Sequence, residues 1–137
     1  MENGKILVVE DQDAMRESLM IAFKDEGYQV EGAASGEEAM HKLDNQNGYD
    51  LVVTDLKMKK VDGLEVLRAA KSANPSAEVV LITAYGTIST AVQAIRDGAY
   101  DYVTKPFRHQ EILKVAKKAI EKKGLKDRVR YLEGEMR

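Results

Sequence analysis

Short apolar runs alternate along this chain with longer stretches of helical period. Residues 6–9, 51–53 and 79–82 are continuous in hydrophobicity and rich in β-branched side chains. Runs without polar alternation predict strands covered on both faces, as in a parallel sheet between helical layers. A weaker run spans Tyr28 to Ala33, and a brief one lies around Tyr102-Val103. Between these runs, Met15, Leu19, Ala22 and Phe23 fall on one helical face that should stop near Gly27. Ser35-Gly36-Glu37-Glu38 has the form of a capping box, ahead of Ala39, Met40 and Leu43. Asp62 and Glu65 repeat that logic before Leu64 and Leu67. Ile88, Ala91, Val92 and Ile95 form a fourth stripe ending at Gly98, and Ile112, Val115, Ala116, Ala119 and Ile120 a fifth. Strand and helix thus alternate five times, which predicts an α/β fold. Right-handed crossovers give it a doubly wound parallel sheet of five strands, with usual order 2-1-3-4-5.

Open sheets of this kind carry their chemistry beyond the carboxyl ends of the strands, where the strand order reverses. No Gly-x-Gly-x-x-Gly follows the first run and no Walker-type loop occurs, which disfavours dinucleotide and nucleoside triphosphate binding. The first strand ends in Glu10-Asp11, with Asp13 close behind. The third ends in Thr54-Asp55, the fourth in Thr83-Ala84 and the fifth in Thr104-Lys105-Pro106. Gathered carboxylates repel and raise one another's pKa, a cost that a hard divalent cation cancels. Mg²⁺ takes one or two carboxylates plus waters and a substrate phosphate. Asp55 would then be a nucleophile for phosphoryl transfer, with Thr83 and Lys105 of the right type to meet the transferred charge. Each residue alone has a plainer role: Asp11 a helix cap, Asp55 a turn residue, Lys105 a solvated lysine, Thr83 a partner for backbone groups. The combination at four strand ends carries the argument.

Composition narrows the classes further. The chain has 137 residues, enough for one domain, with 44% hydrophobic and 32% charged residues. A net charge of −2 gives no global pull toward nucleic acid or membrane, and no apolar run approaches a membrane span. The absence of cysteine excludes disulfides and thiolate chemistry and suits a reducing cytoplasm. His41 and His109 have no ligand-like spacing.

Residues 4–121 resemble the receiver domain of bacterial two-component response regulators. The likeness rests on Glu10-Asp11, the apolar run ending in Asp55, Thr83-Ala84, and the stretch from Ala99 through Tyr102, Lys105-Pro106 and Phe107. Thr83-Ala84-Tyr85-Gly86-Thr87 and the segment from Thr90 to Ile95 look most like the nitrogen-regulation type, in which a receiver precedes an AAA+ ATPase. The resemblance implies a flavodoxin-like fold and a phosphorylation-activated switch rather than an enzyme. Asp55 would accept a phosphoryl group from a sensor histidine kinase. Glu10, Asp11, Asp55 and the backbone carbonyl of Lys57 would hold Mg²⁺. Lys105 would pair with phosphoryl oxygens, Thr83 would move toward them, and Tyr102 would turn inward in response. The resemblance also implies a cis Lys105-Pro106 bond. Two departures stand out: Lys57-Met58-Lys59-Lys60 lacks the family's usual proline, and the acidic pair is Glu-Asp rather than Asp-Asp.

Beyond Ile120 the pattern changes. Leu125, Val129, Leu132 and Met136 take a/d spacings, which suggests a linker helix over residues 122–137 that forms a coiled-coil homodimer and leads to an output domain. A dimer through the fourth helix, fifth strand and fifth helix is a further expectation. The lysines and arginines from Lys114 to Arg130 read as a solvated face, not a nucleic-acid site. Two other classes compete. An aspartyl phosphohydrolase would usually carry a second aspartate where Lys57 stands, and a module that only binds, perhaps flavin mononucleotide, would not need the intact acidic set.

Overall fold

The computed structural model describes residues 4–45, 48–84 and 88–132, without the side chains of Ile88 and residues 129–132. Tyr85, Gly86, Thr87 and Met136 therefore lie outside the described residues. In chain order come β1 (Lys5–Val9), α1 (Asp13–Asp25), β2 (Gln29–Ala33), α2 (Gly36–Asp44), β3 (Leu51–Asp55), α3 (Gly63–Ala73), β4 (Glu78–Thr83), α4 (Ile88–Arg96), β5 (Asp101–Thr104) and α5 (His109–Leu132). The strands are all parallel, in the order β2-β1-β3-β4-β5.

The pleat sorts each strand's side chains onto two cores. Leu7, Val9, Val52, Val79 and Leu81 pack with Leu43 of α2 and with Val66 and Leu67 of α3. Ile6, Val8, Leu51, Val53, Val80 and Ile82 pack with Leu19 and Phe23 of α1 and Ile112 and Ala116 of α5. Coverage of both faces is why these strands read as unbroken apolar runs. The two weak runs are the sheet's edges, β2 and β5, where one flank has no neighbour and burial is incomplete.

Local chemistry sets the helix ends. Asp62 and Glu65 form a reciprocal capping box on α3. At α2 the Ser35 side chain accepts the Glu38 N–H, but the Glu38 carboxylate reaches one residue further back, to the Ala34 N–H at 2.8 Å. Gly27 and Gly98 follow α1 and α4 with φ of 98° and 114°, conformations that favour glycine.

Two elements differ from expectation. The stripe on α4 is rotated: Ala91 and Ala94 are buried, while Val92 and Ile95 of the predicted stripe stand exposed. Close packing of the helix against the sheet selects the small side chains for the interface. At the C-terminus α5 runs unbroken through Gly124 to Leu132, so residues 122–132 continue the domain's last helix.

Candidate functional site

The expected carboxylates meet at the carboxyl end of the sheet. Glu10 follows β1 and is fully buried. Its N–H donates to the Ala33 carbonyl at 3.1 Å, and its own carbonyl accepts from Arg16 Nη1 at 2.9 Å. One carboxylate oxygen, Oε2, accepts the Gln12 N–H at 3.0 Å; the other, Oε1, makes no hydrogen bond. Asp11 is exposed and is not the cap of α1, a position held by Gln12. Asp13 turns aside to Arg16 at 2.7 Å. Ligand atoms of Glu10, Asp11 and Asp55 lie within 4.8 Å of one another, a set that could hold a metal ion.

Asp55 ends β3 at the floor of the crevice. Its Oδ1 accepts the Lys57 N–H at 3.3 Å, and its Oδ2 accepts from Lys105 Nζ at 3.0 Å. The backbone there is held closely. Leu56 N–H donates to the Ile82 carbonyl, and Gly63 N–H to the Leu56 carbonyl. A Cβ at Gly63 would sit 2.5 Å from the Asp55 carbonyl oxygen, so only glycine lets α3 start this close to the acceptor strand. The intervening loop carries exposed Lys57, Lys59 and Lys60, the last at φ 63°. Left-handed backbone costs a non-glycine residue about 1–2 kcal/mol.

The other wall comes from β4 and β5. Thr83 is buried at the end of β4, with Oγ1 3.4 Å from the Ala84 carbonyl. Lys105 N–H donates to the Thr83 carbonyl at 2.8 Å and joins the two strand ends. The Lys105-Pro106 bond is cis. Tyr102 is half-buried against the core on the α3 side.

Electrostatics follow from this crowding. The Glu10 carboxyl is pushed up to about 7, chiefly by burial, with the Asp55 charge adding to it and the Gln12 N–H and Lys105 opposing. Burial alone would lower Lys105, but its hydrogen bond to Asp55 and the charges of Asp55, Glu10 and Asp11 outweigh that and raise it. Lys105 Nζ stays 3.7 Å from Glu10 Oε1 and spends its closest contact on Asp55. The crevice therefore retains negative charge that the chain does not neutralise.

Sequence reasoning reached Glu10, Asp11, Asp55, Thr83 and Lys105 through the strand-end rule. It missed Gly63, whose signal was only a glycine directly after a helix cap. It also missed a second set at the opposite end of the sheet, where Asp50 and Glu78 face Lys123 and Lys126. Those lysines are therefore not part of a purely solvated face, whereas Lys114, Lys117 and Lys118 are exposed as expected.

Comparison with known proteins gives consistent matches. The family described as response regulator receiver domain matches residues 6–117. Regulatory protein AtoC of Escherichia coli is 35% identical over 129 residues, which is 94% of this chain and 28% of AtoC. The crystal structure of NtrX from Brucella abortus in complex with ADP superposes with a TM-score of 0.88 at 36% identity, over 96% of this chain and 30% of NtrX. A receiver domain protein from Clostridium thermocellum gives a TM-score of 0.84 at 32% identity, over 89% of this chain and 98% of its own. The chain thus spans under a third of the length of AtoC and NtrX.

Proposed function

Because this chain belongs to the response regulator receiver domain family, we propose that it is a signalling switch that takes a phosphoryl group on Asp55 from a sensor histidine kinase. The observation that carries this reading is the Asp55 carboxylate at the floor of the crevice, 3.0 Å from Lys105 Nζ and beside Glu10 and Asp11.

In the transfer, an Asp55 carboxylate oxygen attacks phosphorus and forms an O–P bond. The P–N bond to the kinase imidazole breaks, and its electron pair and a proton end on that nitrogen. The product is an acyl phosphate. The buried, unbonded Glu10 Oε1 and the carboxylate set fit a hard cation with oxygen ligands. Asp11, Asp55 and the Lys57 carbonyl would hold Mg²⁺ directly and Glu10 through water; when bound, it neutralises the carboxylates and the phosphoryl oxygens. Lys105 orients Asp55 before transfer and pairs with a phosphoryl oxygen afterwards. Thr83 turns its hydroxyl to another such oxygen, and Tyr102 follows into the space that Thr83 leaves. Phosphorylation adds nearly one further negative charge and strong acceptors, which shifts a pre-existing balance across α4, β5 and α5. A homodimer through this face or the extension of α5 carries the signal to an AAA+ output domain that controls transcription in the cytoplasm.

Intact-protein mass after incubation with a small phosphodonor and Mg²⁺ tests the reading. One added phosphoryl group is expected, absent without Mg²⁺ and in Asp55→Asn. Multiple turnover of a phosphoester would instead support a phosphohydrolase. An Asp55→Asn protein that still gains the group would remove Asp55 from its role.

A further inference from the structure

At the amino ends of the strands, α5 runs past the end of the family match at residue 117 and is held there by charge. Lys123 Nζ lies 2.9 Å from Asp50 Oδ1 and 2.6 Å from Asp127 Oδ2. Burial works against its charge, but those two carboxylates prevail and raise its pKa. The second Asp50 oxygen accepts the Lys5 N–H at 2.8 Å, which ties this carboxylate to the sheet. Lys126 Nζ lies 2.8 Å from Glu78 Oε2, with Lys122 Nζ 4.0 Å from the same oxygen. Glu78 is 2% exposed, and that oxygen makes no aligned hydrogen bond. A buried carboxylate is costly without a cation beside it. Neighbouring Lys71 is committed elsewhere, to the carbonyls of Pro75 and Ala77 at 2.9 and 2.8 Å. The cation therefore comes from α5.

The same contacts fix the helix's rotation. Successive residues turn by about 100°, so Lys122, Lys123, Lys126 and Asp127 share one side. Positions 125, 129 and 132 share another, centred roughly 120° away. Leu125 is accordingly 61% exposed. With the charged side held against the sheet, the domain cannot cover the apolar stripe itself. Its a/d spacing, continued in sequence to Met136, calls for a helix of equal period, which a second copy of this chain supplies at matching levels.

We infer that Asp50 and Glu78 form a latch that holds residues 122–127 and turns the stripe headed by Leu125 outward, as the docking surface for α5 of a second copy. This rests on the helix-mediated dimer proposed above. Asp50 and Glu78 are positioning residues: they act through the lysines and touch no partner.

Two measurements on the full 137-residue chain separate the parts. Sedimentation equilibrium compares wild type with Leu125→Asp, with Lys123→Gln/Lys126→Gln, and with the exchanged pair Asp50→Lys/Lys123→Asp. Leu125→Asp should weaken self-association more than tenfold and the double glutamine variant about tenfold. The exchanged pair should recover most of the wild-type association. Hydrogen exchange at a concentration where wild type is monomeric should show residues 122–132 opening about tenfold more readily in the glutamine variant. Circular dichroism establishes that each variant is folded. Unchanged association and exchange in the glutamine variant, with Leu125→Asp still impaired, would overturn the latch and leave the dimer. A wild type that stays monomeric, or a Leu125→Asp that associates normally, would overturn both.

Discussion

Glu10 and Glu78 are two buried glutamates at opposite ends of one sheet. Each has a carboxylate oxygen without a hydrogen bond. The nearest lysine to that oxygen is 3.7 Å away at Glu10 and 2.8 Å away at Glu78. At the carboxyl end, Lys105 is drawn instead to Asp55, and the site keeps a charge that a cation from solution can answer. At the amino end, two lysines of α5 converge on one carboxylate and anchor the helix. The same residue type is thus open to exchange in one place and closed in the other. The difference lies in whether the chain supplies its own counter-charge.

That contrast breaks first at Glu10. Glu10→Gln should weaken Mg²⁺ binding by about 10–100-fold, the usual range for an outer partner of a metal site, as calorimetric titration would show. The pH dependence has a definite sign. With the folded-state value raised to about 7 from an ordinary 4.5, metal-free folded protein keeps a proton that the unfolded chain has lost between those limits. Stability without Mg²⁺ should therefore fall as pH rises through that window, and Glu10→Gln should flatten the fall. Mg²⁺ must displace the same proton, so its affinity should climb with pH up to about 7. Urea melts at a series of pH values check the first expectation and titrations the second.

At the other end, Lys126→Met removes the nearest cation from Glu78. Breaking a buried pair costs roughly 3–5 kcal/mol; because Lys126 is itself a third exposed, about 1–3 kcal/mol is expected. Glu78→Gln in that background should recover much of it in a denaturant melt. If Lys126→Met proved neutral while Glu10→Gln behaved as described, the two ends would differ in more than counter-charge.

Gly63→Ala sharpens the comparison by moving backbone rather than charge. The added methyl would meet the Asp55 carbonyl, with an overpacking cost of about 1–3 kcal/mol. Phosphoryl incorporation should slow while residues 122–132 keep their exchange protection, which would show the two ends to be separable. The smallest effect belongs to Lys60→Gly. Relief of left-handed strain, partly offset by the entropy of glycine, should stabilise the domain by about 0.5 kcal/mol in thermal melts.

The sequence carried much of this because strand ends are where such sheets place their chemistry. β1, β3 and β4 were legible as unbroken apolar runs, and their last residues located Glu10, Asp11, Asp55 and Thr83. β2 and β5 were faint because edge strands bury less. The stripe on α4 was misplaced because Ala91 and Ala94 carry little hydrophobic signal beside Val92 and Ile95, yet the close-packed interface takes the alanines. The latch was illegible for another reason. Its partners lie tens of positions apart, and an ion pair leaves no periodic trace, so Lys123 and Lys126 looked like any solvated lysines.

The unbroken passage of α5 through Gly124 makes its extension a screw thread. One residue inserted after Asp127 turns everything beyond it by about 100° and advances it by about 1.5 Å. Seven residues bring the heading back to within about 20°. For anything joined to this chain, the length of the junction is therefore an angle before it is a distance. Fusions differing by two residues face opposite ways, and those differing by a heptad are near equivalents.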